Sequence, residues 1–246
     1  MKRSASSPFS GFPGTALPFL RRLKKNNDRE WFLSNRTVYE QSIRSPMTEL
    51  VNLLAVDFSR FAPEIAVSPK TSMYRIHRDT RFSADKSPYK THVAAVFPPR
   101  GMEKHQGAGF YFHFSPDELL IGGGLYMPSP EDLLAVRLRV QSDFREFKNI
   151  IGGRVFRRLF GGLEGEQLRR VPRGFAPDDP AADYLRRKQF LAMRTLPAET
   201  VATDRFYGAL LETFTALAPL IRFLNHPIAA SHRLRQRRDA LLDGQD

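Results

Sequence analysis

The chain has 246 residues, 41% hydrophobic and 11% aromatic, with twenty Phe and one Trp. That is enough apolar material for one large domain or two small ones, hiding roughly 70–75% of the unfolded surface. There is no cysteine, which excludes disulfides, thiolate zinc sites and a cysteine nucleophile and is in keeping with a reducing cytoplasm. Lys and Arg number 38 against 26 Asp and Glu, a net charge of +12, and 29 of the 38 are Arg. Such a balance favours anionic partners, although a charged, solvated surface accounts for it equally well.

The opening residues MKRSASSPFSGFPG start basic but lead into Ser, Pro and Gly, so no leader is expected; residues 1–8 read as a tail. Leu17, Leu20 and Leu23 recur at helical spacing, with Asn26-Asn27 as a stop. Asp28 is placed to cap a second helix, striped by Trp31, Phe32, Val38, Tyr39 and Ile43. Ser45-Pro46 restarts the pattern, since Pro at the first helical position loses no hydrogen bond. Met47, Leu50, Val51, Leu54, Phe58 and Phe61 line that third helix. Strands are predicted over 71–77, 91–97, 109–114 and 119–123. In 109–114, Phe110, Phe112 and Phe114 point one way and Tyr111 and His113 the other. The Ser-Pro-Asp turn joins it to the next strand as a hairpin, which favours antiparallel pairing.

Helices return at Ser129-Pro130-Glu131-Asp132, a capping box, and at Phe144, Phe147 and Ile151, ended by Gly152-Gly153. Residues 161–180 read as loop, with a short helix starting at Asp179-Pro180. A strand is expected over 189–195. Phe206, Leu210, Phe214 and Leu217 mark a late helix, continued by Leu220, Phe223 and Leu224. From Ala229 the chain reads as a basic tail with Arg233, Arg235, Arg237 and Arg238. The pure apolar runs, such as Val93–Phe97, are too short for a bilayer, and no membrane is expected. The pattern predicts an α+β fold over residues 9–228: a single domain with a mainly antiparallel sheet packed by N-terminal and C-terminal helices.

Residues 74–92 read YRIHRDTRFSADKSPYKTH. Between Lys70 and His92 stand six cations (Lys70, Arg75, Arg78, Arg81, Lys86, Lys90) against Asp79 and Asp85, a local excess of four. The segment has no amphipathic stripe, and Ser87-Pro88 disfavours helix. Loops on rigid scaffolds carry more than their share of binding and catalysis.

The run RDTRFSADKSPYKTH, with NNDREWF, FYFHFSPDELLIGGGLYMPSPEDL and VPRGFAPDDP, resembles the domain-of-unknown-function family numbered 2461. The resemblance covers roughly Phe9 to Leu224. It implies a single domain and supplies no catalytic residue to carry over.

Arg75, Arg78, Arg81, Lys86 and Lys90 are candidate ligands for a phosphate or carboxylate, because guanidinium forks make strong, charge-assisted bonds. Asp79 and Asp85 either orient those arginines or serve as general base, with Tyr89 or a His as acid. The competing reading is an internal salt-bridge network. Two Asp cannot satisfy six cations, which favours an anion site. Arg173, in the turn Pro172-Arg173-Gly174-Phe175, is a candidate to complete it. Tyr74, Phe82, Tyr89 and Tyr111 are placed to stack bases if the anion is a nucleic acid, and are otherwise core. Gly122-Gly123-Gly124 lacks the Gly-Lys-Ser/Thr of a phosphate loop and reads as a tight bend. The six His show no metal-binding spacing, so neither metal nor cofactor is expected. Two functions remain in view: a binding module for a phosphorylated ligand or nucleic acid, and an enzyme acting on a phosphorylated or carboxylated small molecule.

Overall fold

The computed structural model describes residues 7–243. In chain order the helices and strands are α1 (Ala16–Lys25), α2 (Arg29–Ser34), α3 (Arg36–Tyr39), a π-helical turn (Glu40–Arg44), α4 (Ser45–Phe61), α5 (Pro69–Ser72), β1 (Val93–Phe97), β2 (Gly109–Phe114), β3 (Leu119–Leu125), α6 (Pro130–Ser142), α7 (Phe144–Gly152), α8 (Arg154–Phe160), α9 (Ala182–Leu185), β4 (Phe190–Leu196), a 3₁₀ turn (Ala198–Ala202) and α10 (Arg205–Asp243). The four strands form one open antiparallel sheet in the order β1-β2-β3-β4, with helices packed on it. The fold is α+β, as the strand and helix patterns predict.

The chain forms two compact units, each built from three segments: 1–100, 111–121 and 194–215 in the first, 101–110, 122–193 and 216–246 in the second. No point in the sequence therefore divides it into successive domains.

The first unit has a core of phenylalanine. Phe12 packs on Phe114 at 4.6 Å, Phe58 on Phe97 at 5.2 Å and on Phe214 at 5.6 Å, and Phe112 meets both Phe97 and Phe206. The alternation in β2 explains this, since Phe112 and Phe114 are fully buried while Tyr111 and His113 are half-buried. Local signals set the helices: Asp28 accepts from the Trp31 amide at 2.8 Å and so caps α2. Pro46 removes the donor that an unbroken helix would aim at the Ser42 carbonyl; the turn before it is wound as a π-helix, so α3 runs on into α4.

In the second unit, Phe147 is the centre, packed on Tyr184, Phe190 and Phe223. Ser129 caps α6 by accepting from the Asp132 amide at 3.1 Å. The three glycines lie inside β3, not at a bend after it. A Cβ at Gly122 would stand 2.2 Å from the Ala192 carbonyl oxygen, and one at Gly124 (φ +128°) 2.0 Å from that of Phe190.

Two further expectations are corrected. Residues 71–77 do not form a continuous strand: Ser68 and Pro69 open α5 instead, and only Met73 and His77 make bridges. Past Ala229, where a tail was expected, α10 runs on to Asp243. The side chains of Arg233, Arg235, Arg237 and Arg238, and residues 1–6 of the N-terminal tail, lie outside the described residues. By length and composition, Arg205–Ala230 is apolar enough to cross a membrane, but 56% of that window is buried inside the protein, where it serves as core.

Candidate functional site

The segment from Met73 to Ala95 folds back on itself inside the first unit. Met73 pairs with Ala95 and His77 with Tyr89, both antiparallel. The Tyr74 amide donates to the Ala94 carbonyl, the Lys90 amide to Ile76 and the Arg78 amide to Pro88. The outgoing chain advances two residues between Tyr74 and Ile76 while the returning chain advances four, from Lys90 to Ala94. Thr91, His92 and Val93 thus stand opposite Arg75 alone, a surplus of two that makes a bulge around Thr91-His92 and bends the ribbon. A loop over 79–87 closes its far end.

Asn27 holds this ribbon from outside. Its side-chain amide donates to the Tyr89 carbonyl at 2.9 Å, and its carbonyl oxygen accepts from the Tyr89 amide at 3.0 Å. Tyr89 is stacked on Phe32 with ring centroids 4.1 Å apart and is only 4% exposed.

A cleft of about 570 Å³ opens here, lined by Lys24, Asn27, Arg78, Asp79, Asp85, Ser87, Tyr89, Lys90, Thr91 and His92. The Arg78 guanidinium donates to the Asp85 carboxylate and, at 3.3 Å, to the Ser83 hydroxyl. The Ser87 amide donates to the other Asp85 oxygen at 2.9 Å. Arg81 takes both oxygens of Asp79, at 3.0 and 2.7 Å. The Lys86 ammonium donates to the Thr80 carbonyl at 3.0 Å. The Lys90 ammonium lies 4.9 Å from the Tyr74 ring centroid, a cation–π contact. Lys24 pairs with Asp117 at 3.0 Å.

These pairings set the titration of the site. Hydrogen bonds from Arg81 hold Asp79 down at about 2. Ser87 first and then Arg78 hold Asp85 well below the usual carboxylate range. Burial, helped by His113 and Lys90, lowers His92 to about 4, so its imidazole is neutral at physiological pH. His113, 5.6 Å from His92 between ring centroids, is also lowered by burial, against the opposing pull of Glu118. The His113 ring contacts the Tyr111 hydroxyl at 3.1 Å and Glu118 at 3.5 Å.

Of the cations singled out in the sequence, the cleft brings together Arg78 and Lys90. Arg81 and Lys86 are exposed and bonded within the loop, and Arg75 is exposed and lines a narrow crevice that shares Lys90 and His92 with the cleft. Arg173 is exposed and belongs to the second unit. Asp79, Asp85 and Tyr89 all line the cleft. Sequence reasoning missed Lys24, Asn27 and Thr91 as lining residues, while Ser87 and His92 stand in the polar segment it singled out without being among its candidate ligands. Asn26-Asn27 read as a helix stop, and a signal for its second task was the polar side chain left over once α1 had ended. Among the described residues, no group of three His, Asp or Glu is placed to hold a metal ion.

Fold and site together define an α+β protein on an open antiparallel sheet, with a polar cleft beside a bulged ribbon that leads into β1. The chain belongs to the family described as conserved hypothetical protein DUF2461, whose model matches residues 15–223 and so takes in the whole cleft. No curated protein and no solved structure matches the chain.

Proposed function

We propose that the cleft of the first unit binds a small anionic molecule, phosphorylated or carboxylated. The observation that carries this reading is the lining: Lys24, Arg78 and Lys90, three cations against Asp79 and Asp85, share one cleft of about 570 Å³ with Ser87, Thr91 and Tyr89. That volume falls within the range of small-ligand sites. It favours a compact ligand over a polynucleotide, which needs a track for its backbone.

The test is a thermal-shift screen of the protein against nucleotides, sugar phosphates and carboxylic acids, with Lys90→Gln alongside. A ligand at a hundred times its Kd stabilises the native state by about 2.7 kcal/mol. The expected result is a rise in Tm for one anionic class, reduced in Lys90→Gln. No shift with any anion defeats the proposal and leaves the charges as a network that knits the loop.

Catalysis is the second reading, favoured by the neutral His92 that lines the cleft beside Tyr89. Asp79 and Asp85 suit a general base less well, because arginines hold both as stable carboxylates and a weak base takes up a proton poorly.

A further inference from the structure

We infer that the anion seat of this cleft is filled by the protein's own Asp85 carboxylate, and that the cleft's ligand is a phosphomonoester dianion that displaces it from Arg78. The inference rests on the reading of the cleft as an anion site and adds the ligand class and the competition at the seat.

The donors that meet at Asp85 are those an external oxyanion needs. One carboxylate oxygen accepts from the Arg78 guanidinium, and the other accepts from the Ser87 backbone amide. The Ser83 hydroxyl accepts from the second Arg78 nitrogen and steadies the fork. Burial separates the two partners: the Arg78 side chain is 27% exposed and that of Asp85 59%. The cation is rooted in the ribbon and the carboxylate stands in solvent, so the carboxylate is the partner free to leave.

The local bonds make that departure a small event. The ribbon's stem is held by the Arg78–Pro88 and Lys90–Ile76 backbone bonds and by the Asn27 clamp on Tyr89. Within the loop, Arg81 stays on Asp79 and Lys86 on the Thr80 carbonyl. Swinging Asp85 out breaks its own contacts with Arg78 and Ser87 and none of these.

The same tether selects the ligand. A carboxylate tethered next to its partner by a short stretch of chain competes at an effective concentration on the order of millimolar. A ligand with one carboxylate merely repeats what Asp85 already offers. A phosphomonoester brings a second charge and a third oxygen, which Asp85 cannot match, and Lys90 and Lys24 line the same cleft.

The experiment measures binding of methyl phosphate and of acetate by calorimetry, near neutral pH and at low salt. It compares the wild type with Asp85→Asn, Asp85→Ala and Asp79→Asn, each checked for an unchanged fold by its melting curve without ligand. Asp79 is the control, a loop carboxylate of the same cleft paired elsewhere, on Arg81. Both Asp85 variants are expected to bind methyl phosphate about tenfold more tightly, because the competing state is removed. They are also expected to gain measurable acetate binding, while Asp79→Asn changes little. If the wild type binds methyl phosphate but neither Asp85 variant binds it more tightly, Asp85 is not the occupant and the cleft reading survives alone. Equal gains in Asp79→Asn and Asp85→Asn reduce the effect to net charge and overturn the inference. No binding of either anion by any of the four proteins defeats the cleft reading and this inference with it.

Discussion

At the scale of residues, the cleft is set by a few side chains whose neighbours fix their state. His92 titrates near 6.5 when unfolded and near 4 when folded. Between those values the unfolded chain holds more protons, so stability falls as pH drops through this window and is fully present above it. His92→Gln is expected to flatten that fall, as read by urea unfolding at about pH 7 and about pH 5. Asp79 and Asp85, depressed below their ordinary value of 3.8, lose their contribution only at lower pH, so the two effects separate. Asn27 acts through hydrogen bonds alone. Asn27→Ala leaves the Tyr89 amide and carbonyl without their partner and is expected to cost about 1–3 kcal/mol in urea unfolding.

At the scale of elements, β3 leaves no room for side chains at its three glycines. Gly122→Ala drives a methyl group into the backbone of β4, and no side-chain rotation relieves a clash with a carbonyl. Loss of several kcal/mol is expected, at or above the 1–3 kcal/mol usual for overpacking, seen as failure to fold or a steep fall in Tm. Gly152→Ala, in a position with open space around it, is the contrasting case and is expected to leave Tm nearly unchanged. Elements defined by local periodicity were legible in the sequence: α1 from its leucines, α4 from its stripe, β2 from its alternating phenylalanines. The ribbon over 73–95 was not, because its regularity is broken by two unmatched residues and its partner strand lies beyond a loop.

At the scale of the whole molecule, the charge of +12 overstated the local field at the candidate site. Arg78, Arg81 and Lys24 each have a carboxylate partner, and Lys24's partner, Asp117, is 93 residues away in sequence. Nothing in a local excess of four cations announces such a partner, which is why the family resemblance and fold class could be read from the chain but the lining of the cleft could not. The core was the easier part. Phe214, fully buried against Phe58 and Phe97, is expected to cost about 3–5 kcal/mol on replacement by Ala, measured by denaturant unfolding.

The bulge at Thr91-His92 has an evolutionary corollary. Side chains along a strand alternate with a period of two, so an insertion of two residues bends the ribbon yet leaves every later residue of β1 on its original face. Gain or loss of a single residue there would turn Phe97 from the core to the opposite side. Where the added residues stay extended, length variation at this point is therefore admissible in pairs, and relatives are expected to differ there mostly by even numbers of residues.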